Sequence, residues 1–324
     1  MISEHTLAEE ASVAEFLRRT YAATGRPELR ISILPGGMDN LNFHVDAGEG
    51  GAYVLRRFRL SAAEEVKEEI RLIKNLVQLE YPTPRMHRNR DNEFLSDWNG
   101  YPHVLFDFVE TARFAAREDL EAVTDLIHRL HVLTQGFSGP SERRKFSQLE
   151  ERFRARCRQP AAEAPVREML GILEGWRRKQ GPELASLLPS LRRCRVHYDL
   201  NPGNLLIDRA GKINLIDFDE SIFGPAVLDL ASLFHYWCLS EDGSAFDMAL
   251  AARILASYEN RSPLGKAERR SLPFVLLKYQ IDDCLNYYLG HKEGEEGFDL
   301  SESYSFQGLK LILRLCEGKE IDFQ

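Results

Sequence analysis

Apolar positions Leu7, Val13, Phe16, Leu17 and Tyr21 recur at roughly helical spacing, which predicts an amphipathic helix over residues 5–23. The period then shortens. RISIL (30–34), LNFHVDA (41–47) and AYVLRRF (52–58) read as strands, separated by PGGMDN (35–40) and GEGG (48–51) turns. SAAEEVKEEIRLIKNLVQL (61–79) returns to the helical period, with Ile70, Ile73 and Leu76 as its stripe and a capping box expected from Ser61 and Glu64. Two more strands are expected around 85–89 and 101–109. From about 117 onward the pattern is helical, over 117–134, 143–158, 161–179, 226–239, 244–259, 267–290 and 304–317. Only VHYDLNPGNLLID (196–208) and KINLIDF (212–218) interrupt it as strand-like pieces. The reading is an α+β chain: a small antiparallel sheet with one helix over 1–108, then a mainly helical part over 109–324 containing one hairpin.

Composition narrows the function. Of 324 residues, 44% are hydrophobic and 28% charged, ordinary values for a globular protein with a sizeable core. The net charge of −8 argues against a nucleic-acid partner, which needs a basic footprint. No apolar run is long enough to span a bilayer, and the acidic, amphipathic start is unlike a signal peptide, so a cytoplasmic location and no membrane partner are expected. Five scattered cysteines (157, 194, 238, 284 and 316) without a CxxC pair suit a reducing compartment, with no disulfide frame and no zinc site.

The stretch at 196–208 carries the chemistry. His197, Asp199 and Asn204 are followed, across a hairpin, by Asp217 and Asp219. Phosphoryl transfer needs hard oxygen ligands for a magnesium-bound nucleotide, which Asn204 and Asp217 can supply, and Mg²⁺ takes few of them from the protein. Asp199, five residues before the asparagine, is placed to accept the proton of an attacking hydroxyl. On a strand Asp219 would share a face with Asp217 and either touch a second metal or brace the loop.

HYDLNPGN followed by IDFDE resembles the catalytic hairpin of the aminoglycoside phosphotransferase and choline kinase superfamily, small-molecule relatives of protein kinases. The resemblance implies a bilobal, protein-kinase-like fold that binds ATP and Mg²⁺. It makes Asp199 the base, His197 a brace of the loop, Asn204 and Asp217 the metal ligands, and Asp229, in GPAVLDLA (224–231), an anchor of the loop. In the front half, LPGGMDNLNFHV is similar to the family's nucleotide-covering loop, which puts Gly36, Gly37 and Asn40 at the phosphates. YVLRR (53–57) is similar to the strand with the phosphate-pairing cation, with Arg56 where a lysine is usual; Arg57 is the alternative, turned to the other face by strand alternation. Glu69 is the choice for the helix glutamate pairing that arginine, with Glu65 and Glu68 as rivals. VLFDFVE (104–110) resembles the connector that holds adenine through backbone groups, here at Asp107 and Val109. The resemblance covers about residues 30–235.

The activity so implied is ATP-dependent phosphorylation of a small-molecule hydroxyl, of amino alcohol, aminoglycoside, homoserine or sugar type. Asp282, Asp283, the acidic run 293–299 and the aromatics Tyr236, Trp237, Tyr279, Tyr287 and Tyr288 would suit a cationic acceptor, or else a solvated surface and helix packing. A protein Ser/Thr kinase of the bacterial stress-response type and a nucleotide-binding pseudokinase are the alternatives.

Overall fold

The computed structural model describes residues 4–22, 24, 29–35, 39–141, 144–158, 163–293, 295, 297–318 and 321. It has an antiparallel sheet region followed by a mainly helical one, an α+β architecture. Contacts divide the chain into two compact units. The first comprises Met1–Arg113 and Leu206–Asp219, and the second Phe114–Leu205 and Glu220–Gln324. The hairpin carrying Asp217 and Asp219 therefore groups with the front sheet, unlike in the 1–108 and 109–324 division read from the sequence.

In the first unit, α1 (Glu4–Thr20) precedes β1 (Arg30–Ile33), β2 (Asn40–Asp46), β3 (Ala52–Phe58), α2 (Ala63–Gln78), β4 (Met86–His87), β5 (Ser96–Trp98) and β6 (Tyr101–Asp107). The strands form an antiparallel sheet in the order β1-β2-β3-β6-β4, with β5 also pairing β6. Alternation along β2 and β3 turns Phe43, Val45, Tyr53 and Leu55 onto α1, where Val13, Phe16, Leu17 and Tyr21 close a core. Phe58, Val66 and Val104 form a second, smaller core between the sheet and α2. A further sheet of β7 (Thr111–Phe114), β9 (Leu205–Asp208) and β10 (Ile213–Leu215) has β9 in its middle. The Leu215 N–H ties this hairpin back to the Pro82 carbonyl at 2.9 Å.

The expected capping box of α2 sits one residue later than Ser61 and Glu64. Ala62 is the cap, its N–H donating to the Glu65 carboxylate at 2.9 Å, while Glu64 pairs Lys67 at 2.6 Å. With no hydroxyl on Ala62, only the glutamate half of the motif is made. Ile70 is half-buried, and Val66, Leu72, Ile73 and Leu76 form the buried stripe together with Glu69.

The second unit holds α3 (Leu120–Thr134), α4 (Arg144–Cys157), α5 (Ala164–Lys179), α6 (Gly181–Leu187) and β8 (Arg193–Val196). After the hairpin follow β11 (Ile222–Pro225), α7 (Val227–Leu233), α8 (Met248–Glu259), α9 (Lys266–Leu285) and α10 (Tyr304–Glu317). β8 and β11 pair antiparallel, and β11 was not expected from the sequence. The helices expected over 226–239 and 267–290 end early as α-helix. Both widen to i→i+5 hydrogen bonding, over Phe234–Cys238 and Asn286–Lys292. Among the described residues no helix is long and apolar enough to cross a membrane.

Candidate active site

The stretch 196–208 is not one strand. β8 ends at Val196, β9 starts at Leu205, and the residues between form a loop closed by one turn at Pro202–Asn204. A loop inside a helical unit must have its backbone groups paired, and this one does, mostly by side chains. The buried Asp229 carboxylate, on α7, accepts the N–H groups of His197 at 3.0 Å and Tyr198 at 2.8 Å. Asp229 is held in turn by His131 Nε2 at 2.8 Å, whose Nδ1 meets the Tyr258 hydroxyl at 2.8 Å. The Leu200 N–H goes to the Ser232 hydroxyl and its carbonyl to the Trp237 indole. The Tyr279 hydroxyl donates to the Tyr198 carbonyl at 2.8 Å, and His197 Nδ1 accepts the Asp199 N–H at 3.3 Å. Fully buried and bonded inside its own loop, His197 is a brace there.

Asp199 is the centre of this cage. Its carboxylate accepts the Asn201 amide on both oxygens at 3.0 Å and the Asn204 amide at 2.8 Å. The Tyr236 hydroxyl also bonds it, and burial, Tyr279, Asp199 and Asp283 push the Tyr236 pKa well above its ordinary value, so it stays a donor. Asn204 spends its remaining N–H on the Asp199 carbonyl at 3.0 Å, which leaves Oδ1 as its outward chemistry, a hard oxygen of the kind Mg²⁺ takes.

The first unit assembles a second constellation. Arg56 on β3 is buried and bonds Asp217 at 2.7 Å, the Asn42 amide oxygen at 3.1 Å and, as an ion pair, Glu69 at 3.6 Å. Of the three glutamates considered, Glu69 makes this pair. Glu65 caps α2, and Glu68 holds Arg71. Burial works against the Arg56 charge, but Asp217, Glu69 and Asp219 outweigh it and hold its pKa above the ordinary value. Asp217 adopts a left-handed backbone, φ 68°. Asp219 accepts the buried Asn40 amide at 3.0 Å, an arrangement that braces the loop. Among the described residues no group of three or more His, Cys, Asp or Glu is gathered as a metal-binding set. Taken each within its own unit, the Asn204 amide oxygen and the Asp217 carboxylate are hard oxygen donors of the kind Mg²⁺ accepts.

Other expectations fare differently. Gly36 and Gly37 lie outside the described residues. The Asp107 N–H is committed to the Arg85 carbonyl at 2.9 Å and its carboxylate to His87 at 2.6 Å, so this residue is already paired within the sheet. The Val109 carbonyl accepts the Thr111 hydroxyl at 3.0 Å. Asp282 is engaged by Lys278 and Tyr198, while Asp283 meets Ser305 at 2.7 Å and His235 at 3.6 Å. Trp237 and Tyr279, expected around a cationic acceptor or in helix packing, brace the loop. Glu293 in the acidic run pairs Arg152. Asp229 anchors the loop as expected, through the His197 and Tyr198 N–H groups. Asn201, Ser232 and His131, which holds Asp229, were missed, and for the last two only the polar interruption of an apolar helix face signals them.

Comparison with known proteins gives the family. The phosphotransferase enzyme family matches residues 30–265. A homoserine kinase from Pseudomonas aeruginosa is 28% identical over 299 residues, 88% of each chain. Another, from Methylobacterium radiotolerans, is 27% identical over 283 residues, 84% of this chain and 83% of that one. Among solved structures, a microcompartment-associated aminopropanol kinase superposes with a TM-score of 0.74 at 18% identity, covering 97% of this chain and 100% of that one. A choline kinase from Streptococcus pneumoniae gives 0.67 at 15% identity, covering 96% and 99%. The chain belongs to the phosphotransferase enzyme family, as a kinase whose acceptor is an alcohol group.

Proposed function

We propose that the chain transfers the terminal phosphoryl group of ATP to the hydroxyl of a small, amine-bearing molecule, with homoserine the first acceptor to try. The observation that carries this reading is the Asp199 carboxylate, held by Asn201, Asn204 and Tyr236 without a cationic partner among these contacts. A carboxylate so fixed suits a base that takes the proton of the acceptor hydroxyl as its oxygen attacks phosphorus. The products are the phosphate ester and ADP, with the proton on Asp199. Arg56, kept in place by Glu69 and Asp217, pairs the nucleotide phosphates. Asn204 and Asp217 are the residues that would hold a magnesium ion, and it would neutralise charge on the phosphates. Val109 offers its N–H to the adenine ring, since Asp107 has spent its own. The named activities of the relatives, homoserine kinase at 28% identity and aminopropanol and choline kinases by fold, support a small acceptor bearing nitrogen.

ADP release measured with L-homoserine, 1-amino-2-propanol, ethanolamine, choline, kanamycin and casein separates the readings. Turnover with one of the small amines is expected, and Asp199→Asn should lower its kcat by about 10²–10⁴-fold with little change in ATP affinity. Turnover with casein alone would make it a protein kinase. ATP binding without any turnover would make it a pseudokinase.

A further inference from the structure

Tyr198, the residue before Asp199, has φ 72°, a left-handed backbone that a large aromatic residue rarely adopts. Rotation about that bond re-aims everything that follows, Asp199 first. The ring and both backbone groups of Tyr198 are tied down: N–H to Asp229, carbonyl to Tyr279, ring 5.1 Å from the Tyr279 ring. The hydroxyl runs the other way, into the unit, and donates to Asp282 Oδ2 at 3.2 Å. Asp282 is buried on α9, and Lys278, one turn earlier, bonds both its oxygens at 2.5 and 2.6 Å. Lys278 itself lies 5.8 Å from the centre of the Trp176 ring. A buried carboxylate with its own lysine is costly to keep for packing alone. Here it meets the loop at its one left-handed residue.

We propose that Asp282, held by Lys278, is a positioning residue: through the Tyr198 hydroxyl it keeps that backbone left-handed and so aims the Asp199 carboxylate. It touches neither nucleotide nor acceptor. The proposal rests on Asp199 being the proton acceptor, and it separates cleanly from a packing role. Phenylalanine at 198 keeps the packing and loses the anchor. Glycine loses the packing but holds φ 72° at no steric cost. Packing therefore ranks Tyr198→Phe above Tyr198→Gly, and positioning ranks them the other way.

The test measures kcat and KM with MgATP and L-homoserine, together with hydrogen-exchange protection of the amides of residues 197–200, in Tyr198→Phe, Tyr198→Gly, Asp282→Asn and the double variants. The expected result is a kcat lowered about tenfold or more in Tyr198→Phe and Asp282→Asn, with KM for MgATP within about twofold of the parent and loop protection reduced. Tyr198→Gly stays closer to the parent than Tyr198→Phe. Asp282→Asn adds nothing once the hydroxyl is gone, in either background. Parent-like turnover and protection in Tyr198→Phe overturns the proposal, and so does an Asp282→Asn effect of equal size with and without the hydroxyl. Should Tyr198→Gly fail to fold, the Phe and Asn variants and their double decide by the same rule. If the parent turns over none of the acceptors, the functional reading fails, and loop protection alone decides the positioning role.

Discussion

Arg56 and Arg57 stand side by side on β3, and the pleat sends them to opposite faces. Arg56 meets Asp217 and Glu69. Arg57 meets Glu9 at 2.7 Å and His103 at 3.0 Å, and its guanidinium lies over Phe43, Trp98 and Tyr101. Arg56→Ala should raise KM for ATP on the order of tenfold to a hundredfold, the worth of a charge-assisted bond, and Arg56→Lys should recover part of it. Arg57→Ala should leave KM alone but cost about 1–3 kcal/mol of stability, read as a lower Tm. A raised KM in Arg57→Ala with a normal one in Arg56→Ala would reverse the two roles. His103 adds a pH dependence. Burial, with help from Arg57, lowers its pKa to about 4. The unfolded chain binds that proton near 6.5, so stability is complete above about 6.5 and falls as pH drops towards 4, by on the order of 3 kcal/mol. Thermal melts between pH 7.5 and 4.5 should show this slope, and His103→Gln, which still offers Arg57 an oxygen, should flatten it.

Helices and strands differ in how plainly they were written. The strands β2 and β3 and the helices α2, α3 and α10 follow from the periods of Phe43, Leu55, Ile73, Leu130 and Leu309. β11 was missed because its four residues include Gly224 and Pro225, both disfavoured in strands, yet Gly224 pairs Cys194 across the two-stranded sheet. The widened turns after α7 and α9 left no sequence mark, since Phe234, Trp237 and Leu289 keep an apolar pattern through them. The glutamate of α2 was one of three until the sheet fixed which face Arg56 takes. The loop at 197–204 stood out in the sequence by its polar residues, while its bracing by Ser232, Trp237 and Tyr279 depends on tertiary packing that spacing cannot encode. One contact between elements can be tested directly. Gly243, at φ 72°, lies so close to α10 that an added Cβ would sit 2.1 Å from the Tyr304 carbonyl oxygen and 2.7 Å from the Gly308 nitrogen. Gly243→Ala should cost about 2 kcal/mol or more, lowering Tm by several degrees. Gly308→Ala should cost less, because its nearest neighbour at 2.6 Å is the movable end of Leu239. Equal Tm values for the parent and Gly243→Ala would show that this turn yields freely.

For the whole molecule, the division into two units makes one fragment experiment informative. Residues 1–113 contain Arg56 and Glu69 but not Asp217, and they lack the Leu215 bond to Pro82. Expressed alone, this piece should unfold at lower denaturant than the same piece joined through a flexible linker to residues 206–219, with a difference of about 3–5 kcal/mol for the missing partner of a buried charge. Equal midpoints would mean that the hairpin contributes nothing to the front sheet. The same feature sets a timetable on the ribosome. At about 5–20 residues per second, roughly 5–20 s pass between the synthesis of the last front-sheet residues before the break and the arrival of Asp217. Throughout that interval the nascent sheet holds the Arg56 guanidinium with Glu69 and without its closest carboxylate. Its final locking must wait for a short piece of chain made only after α3, α4, α5, α6 and the loop at 197–204 have been synthesised.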